Sequence, residues 1–145
     1  MLFFDTSGYG YSKSRCEKVI SWFIVNNLSR YNIDIHIHHR GLKRDDSYGW
    51  CSVYGSNSRP RRFDIELQSG MSPDLYIRTL LHELWHIYQH VKGTLKDKGG
   101  KRYWRGVNHS DTDYQDQPWE KEAYAMENKL VDNYMLYLVD NKLSL

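Results

Sequence analysis

Apolar residues recur along the chain in two periods, and the switches between them divide it into elements. From 14 to 30, Cys16, Ile20, Phe23 and Ile24 fall at helical spacing with charged residues between them, which predicts a first helix laid on a core. The period then drops to two. In IDIHIHHR, residues 33 to 40, Ile33, Ile35 and Ile37 alternate with Asp34, His36 and His38, the pattern of a strand buried on one face. WCSVY at 50 to 54 predicts a second strand. After the turn-rich GSNSRPRR, FDIEL at 63 to 67 predicts a third, with Phe63, Ile65 and Leu67 facing one way and Asp64 and Glu66 the other. Three short strands with no helix between them suggest an antiparallel meander.

The helical period returns at SGMSPDL, where Ser72 reads as an N-cap, Pro73 as the first helical residue and Asp74 as an acid on the positive end of the dipole. Gly93 is the stop. Between them Ile77, Leu81, Leu84, Tyr88 and Val91 repeat at alternating four and three residues, so this is the central helix of the domain. Residues 93 to 117, rich in Gly, Asp, Asn and Lys, read as one long connection of a length that is usually functional or mobile. A last helix opens at Pro118 and runs to about Val139, with Trp119, Ala123, Met126, Leu130 and Tyr134 as its apolar stripe. The expected architecture is a single α+β domain over 1–145, a short antiparallel sheet of three strands packed against an N-terminal, a central and a C-terminal helix.

Composition narrows this little. At 145 residues, 40% apolar and 14% aromatic, the chain can build one globular core. Cys16 and Cys51 do not make a disulfide framework, so a reducing compartment, the cytoplasm, is expected. MLFFDTSGYG falls short of a signal-peptide apolar region, and no stretch approaches the roughly 20 apolar residues of a membrane span. A net charge of +2 is too small to argue for nucleic acid, and RPRR at 59 to 62 and KDKGGKR at 96 to 102 read as solvated loops. His36, His38 and His39 likewise read as a solvated strand face, because no Cys or carboxylate partner is marked for them.

The chemistry concentrates in LHELWHIYQH, residues 81 to 90, which places His82, Glu83 and His86 in the pattern His-Glu-x-x-His on the central helix. Residues four apart on a helix differ by about 40° in direction, so His82 and His86 can reach one ion. Glu83 is turned about 100° from His82, toward the place of a water on that ion, which is the geometry of a general base. A catalytic zinc needs a third protein ligand. His90 is about 12 Å from His82 along the axis, too far for one ion. The metzincin pattern wants Gly at 89 and His at 92, where this chain has Gln89 and Lys92. His109, Glu120 and Glu122 remain, and the helical wheel does not choose between the glutamates, each about 80° from the apolar stripe on opposite margins.

The central motif together with a glutamate on the following helix resembles the gluzincins, zinc peptidases whose third ligand is such a glutamate. In that class the ligand often directly precedes an alanine, as Glu122 precedes Ala123, which implies Glu122 here. DQPWEKEAY also resembles a segment of small phage-encoded and SprT-like metallopeptidases. The resemblance covers about residues 63 to 135. SprT-like proteases take a third histidine from a Gly-His loop where this chain has GVNHSD, which keeps His109 as second candidate and Glu120 as third.

The expected activity is peptide-bond hydrolysis by one zinc per chain on His82, His86 and Glu122, with Glu83 activating the zinc-bound water. Tyr114, His109 and Tyr103 are the candidate donors to the oxyanion. The expected partner is a peptide or protein, paired with 63 to 67 as an edge strand. Two other readings stay open: a zinc-stabilised binding module that cleaves nothing, and a SprT-like protease recruited to nucleic acid.

Overall fold

The structure, a computed structural model, describes residues 1–42, 47–55 and 59–145, so part of the turn expected over 55 to 62 lies outside the described residues. It is an α+β domain with three helices, a mixed four-stranded sheet and a three-stranded antiparallel sheet.

The chain opens with a strand that the apolar pattern did not announce, β1 (Leu2–Gly8), in which Leu2, Phe4 and Thr6 are half-buried and Phe3 and Asp5 exposed. Helix α1 (Lys13–Asn27) follows. The Ser12 side chain caps it by accepting from the Arg15 N–H, and it buries Cys16, Val19, Ile20, Phe23 and Ile24. Strand β2 (Ile33–Arg40) returns parallel to β1, so α1 is the crossover that a parallel pair requires. Strands β3 (Gly49–Val53) and β4 (Arg62–Gln68) complete the sheet in the order β1-β2-β4-β3.

That order corrects the antiparallel meander. β4 inserts between β2 and β3, running parallel to β2 and antiparallel to β3. It also removes 63 to 67 from the edge: both sides of β4 are hydrogen-bonded within the sheet, and β1 and β3 are its outer strands. The inward positions Ile33, Ile35, Ile37, Phe63, Ile65 and Leu67 are at most 1% exposed. Each such burial is worth about 1.5–3 kcal/mol, and a one-residue slip would turn all of them to solvent. His39 shares their parity and is fully buried, against the expected solvated face. Its ring stacks on Tyr11, Nδ1 lies 2.9 Å from the Ser7 carbonyl and Nε2 lies 2.8 Å from the Tyr76 hydroxyl. His36 and His38 do face outward, against Asp5 and Ser7.

Helix α2 (Pro73–Lys92) begins and ends as its sequence predicts, with the Ser72 side chain accepting from the Leu75 N–H and Gly93 closing it at φ 79°. It packs against α1, β3, β4 and the last helix, α3 (Pro118–Asp140). Gly49 permits the approach of β3: a Cβ there would lie 2.9 Å from Leu67 Cδ2 and 3.1 Å from both the Glu66 carbonyl and Thr79 Cγ2.

The connection from 93 to 117 is not irregular. It forms β5 (Leu95–Lys98), β6 (Lys101–Trp104) and β7 (Val107–Asn108), then a short 3-10 turn at Tyr114–Asp116. Leu95 and Trp104, opposite each other in the hairpin, join Trp119 in a small second core. This pins the hairpin beside the start of α3.

Candidate metal centre

His82, Glu83 and His86 lie one turn apart on the part of α2 covered by α3, and all three are at least nine-tenths buried. Opposite them, in the first turn of α3, stands Glu120. Its Oε1 lies 2.9 Å from His82 Nε2 and 3.1 Å from His86 Nε2. His82, His86 and Glu120 form a group that could hold a metal ion, with their ligand atoms all within 4.8 Å of one another. Ligands at about 2.0–2.1 Å in a tetrahedron around one zinc stand roughly 3.3 Å apart, so the two imidazole–carboxylate separations are already near ligand separations.

The far side of each imidazole is also fixed. His82 Nδ1 is 2.9 Å from Glu127 Oε2, and His86 Nδ1 is 2.8 Å from Gln89 Oε1. An imidazole that donates from Nδ1 to such a partner presents Nε2 as its ligand atom, the arrangement that supports metal sites generally. Glu127 is held in turn by Arg78 Nη1, which donates to its Oε1 at 3.3 Å. Gln89 donates to the Trp119 carbonyl at 3.0 Å and to Glu122 Oε1 at 3.2 Å.

Glu122 is therefore close to the site but behind it. Its Oε1 also accepts from Trp85 Nε1 at 2.8 Å, and it meets His86 only through Gln89. The two glutamates point about 200° apart around α3, so the crossing of α3 over α2 brings one to the imidazoles and sends the other to Trp85. The structure thus gathers Glu120, not Glu122, with His82 and His86. His109 is not gathered there either: it lies on the 93–117 segment against Thr112 and the Trp119 ring. Tyr103 faces away from the cleft, beside Lys96 and Lys101. Tyr114 is brought in, lining both cavities next to Glu83, with its hydroxyl 3.0 Å from that of Tyr124.

The charges respond to this crowding. Burial pulls the His82 imidazole down, but hydrogen bonds to Glu120 and Glu127 outweigh it and raise the pKa to about 9. His86 is raised in the same way, the bond to Glu120 prevailing over burial. Burial pushes Glu120 up, and the two imidazoles more than reverse this, holding it at about 2. Glu83 has no such hydrogen-bonded partner. Burial lifts it to about 7 against the pull of His86 and His82, and its Oε2 is buried without a hydrogen bond. Tyr114 is shifted upward by burial and by its bond to Tyr124, so it stays a hydroxyl donor at neutral pH.

Two cavities flank this group. One of about 220 Å³ touches Glu83, His86, Glu120 and Arg102; the other, of about 660 Å³, touches His82, Glu83, Arg78 and Tyr124. Edge strand β3 borders both, through Gly49.

No protein-family model matches the chain, and no curated protein or solved structure matches it either. No helix among the described residues is long and apolar enough to cross a membrane.

Sequence reasoning did not single out Glu127, Gln89 or Arg102. A signal for the first was present: Glu127 lies seven residues after Glu120, two turns along the same helix face.

Proposed function

We propose that the protein is a zinc-dependent hydrolase of peptide bonds, with the ion on His82, His86 and Glu120 and Glu83 as general base. The observation that carries this is the convergence of two Nε2 atoms on one Glu120 oxygen, beside the buried Glu83, whose Oε2 has no hydrogen bond among the described residues. A purely structural site has no use for that carboxylate. The donor set suits the ion: two imidazoles oriented by their Nδ1 partners plus one carboxylate is a catalytic ligand set, which leaves a fourth position for substrate or water. When bound, zinc supplies Lewis-acid polarisation of a carbonyl and makes a water ligand acidic near neutral pH.

The remaining work falls to the chain's own groups. Glu83 accepts the proton of the attacking water and carries it to the leaving amine. Tyr114 offers its O–H to the oxygen that gains charge. Among the described residues the outer side of β3 has no strand partner, so an extended substrate can pair with it and lie across the cleft. Glu127 and Gln89 act through the imidazoles as positioning residues.

The test is hydrolysis of a quenched-fluorescence peptide library by zinc-loaded protein beside Glu83→Gln. The parent should cleave, and the variant should retain one zinc per chain while losing at least a hundredfold in kcat. Equal cleavage by both proteins would rule out Glu83 as the base, and zinc loss in the variant would make it structural.

A further inference from the structure

The smaller cavity is lined on one side by Arg102, a guanidinium that metal binding does not use. In the hairpin, Asp97 and Arg102 stand opposite each other in register, on the same face as Leu95 and Trp104. Arg102 Nε donates to Asp97 Oδ1 at 2.7 Å and Nη2 donates to Oδ2 at 2.9 Å. The guanidinium carbon lies 5.3 Å from the centre of the Trp119 ring. One edge and one face are thus fixed, while Nη1 makes no hydrogen bond among the described residues. The outward residues Lys96, Lys98, Lys101 and Tyr103 alternate with these and line a separate surface.

Glu83 and His90 also line the cavity, and Glu83 Oε2 and His90 Nδ1 are buried without a hydrogen-bond partner among the described residues. Burial holds His90 down at about 4, so at neutral pH it adds a hydrogen-bonding edge and no charge. At about 220 Å³ the space equals that of about seven waters, enough for one amino-acid side chain. The groove on the other side is three times larger. The space is therefore wide on one side of Glu83 and small on the other, where the guanidinium is held in place.

We infer that Arg102 is a specificity-determining residue that binds a peptide carboxylate on the residue next to the scissile bond. The inference rests on the peptidase reading for where the scissile bond lies, but the carboxylate preference is a property of binding and is tested as such. A carboxylate on this residue has two sources, an acidic side chain or the free C-terminus of the substrate. Both offer two oxygens to the open edge of a guanidinium fork.

The test is retention of defined octapeptide pools on immobilised, zinc-loaded Glu83→Gln protein, read by mass spectrometry. Pools are matched as free acids and C-terminal amides, and amide pools carry either one internal Glu or Gln. Hydrogen bonds to a charged partner predict an enrichment on the order of tenfold or more for the carboxylate member of a pair. Enrichment of free acids assigns a C-terminal carboxylate, and enrichment of internal Glu assigns a side chain. The preference should vanish in the Arg102→Gln, Glu83→Gln double variant, survive in part with Arg102→Lys, and be unchanged by Lys101→Gln, which removes the same charge from the outward face. Circular dichroism and zinc content confirm that each variant is folded. Equal retention of matched pools, no retention of any pool, or a preference that persists without Arg102 would overturn the assignment and leave the ion pair as a hairpin staple. Carboxylate preference in a protein whose Glu83 form cleaves nothing would support the assignment and overturn the peptidase reading. Cleavage without any preference would do the reverse.

Discussion

Glu120→Gln and Glu122→Gln separate a ligand from its support with the smallest possible change of shape. In the first variant the carboxylate on which His82 and His86 converge at 2.9 and 3.1 Å becomes a neutral amide, and the anionic ligand is lost. Removing a group that only orients a ligand typically costs 10- to 100-fold in metal affinity, so loss of the ligand itself should exceed about 100-fold, or roughly 2.8 kcal/mol. In the second variant the oxygen that accepts from Trp85 and Gln89 survives, and only charge two hydrogen bonds away from His86 is removed. Its effect should stay within about tenfold. Competition for zinc with a chromophoric chelator measures both, with far-ultraviolet circular dichroism as a check of folding. If Glu122→Gln released zinc and Glu120→Gln retained it, the geometric argument for the third ligand would fail, and His109→Ala stripping the metal would move that ligand to the 93–117 segment.

Glu127→Ala should weaken zinc binding by about 10- to 100-fold without abolishing it, because His82 Nδ1 loses its acceptor while Nε2 remains; an unchanged chelator titration would count against a positioning role. The metal-free protein should lose thermal stability as pH rises. Folding raises His82 from 6.5 to about 9, so its contribution is complete below the unfolded value and disappears as pH climbs through the folded one. Melting temperatures of metal-free parent should therefore fall between pH 6.5 and 9, and His82→Gln should flatten that slope. Tyr134→Phe removes a hydroxyl that is buried without a partner among the described residues, and should leave the melting temperature unchanged or raise it; a fall of several degrees would reveal a partner for that group.

Helix positions were legible because caps and periodicity agree. Ser72, Pro73 and Gly93 bound α2 as read, and His82 and His86 needed only the helical repeat to be placed together. The sheet was less legible, since alternation in 33–40 and 62–68 fixes which side chains face inward and says nothing of strand direction. β1 escaped notice because Leu2, Phe4 and Thr6 make a weak alternation, and Phe3 breaks it by being apolar and exposed. The hairpin at 95–104 had a readable signal: Leu95 and Asp97 alternate with Lys96 and Lys98 up to Gly99-Gly100, a pair that favours a two-residue turn. Reading it would have put Arg102 and Asp97 on one face. Glu120 and Glu122 could not be ranked from a wheel, because the rotation of α3 is set by burial of Trp119 and Ala123 against other elements, and neither packing partner is visible in the helix's own sequence.

The most direct test of the metal centre is anomalous diffraction from crystals of zinc-loaded protein, recorded above and below the zinc edge. The account predicts a single peak about 2.0–2.2 Å from His82 Nε2, His86 Nε2 and a Glu120 carboxylate oxygen. A fully loaded crystal with no peak between these residues, or with the peak coordinated by Glu122 or His109 in place of Glu120, would contradict it.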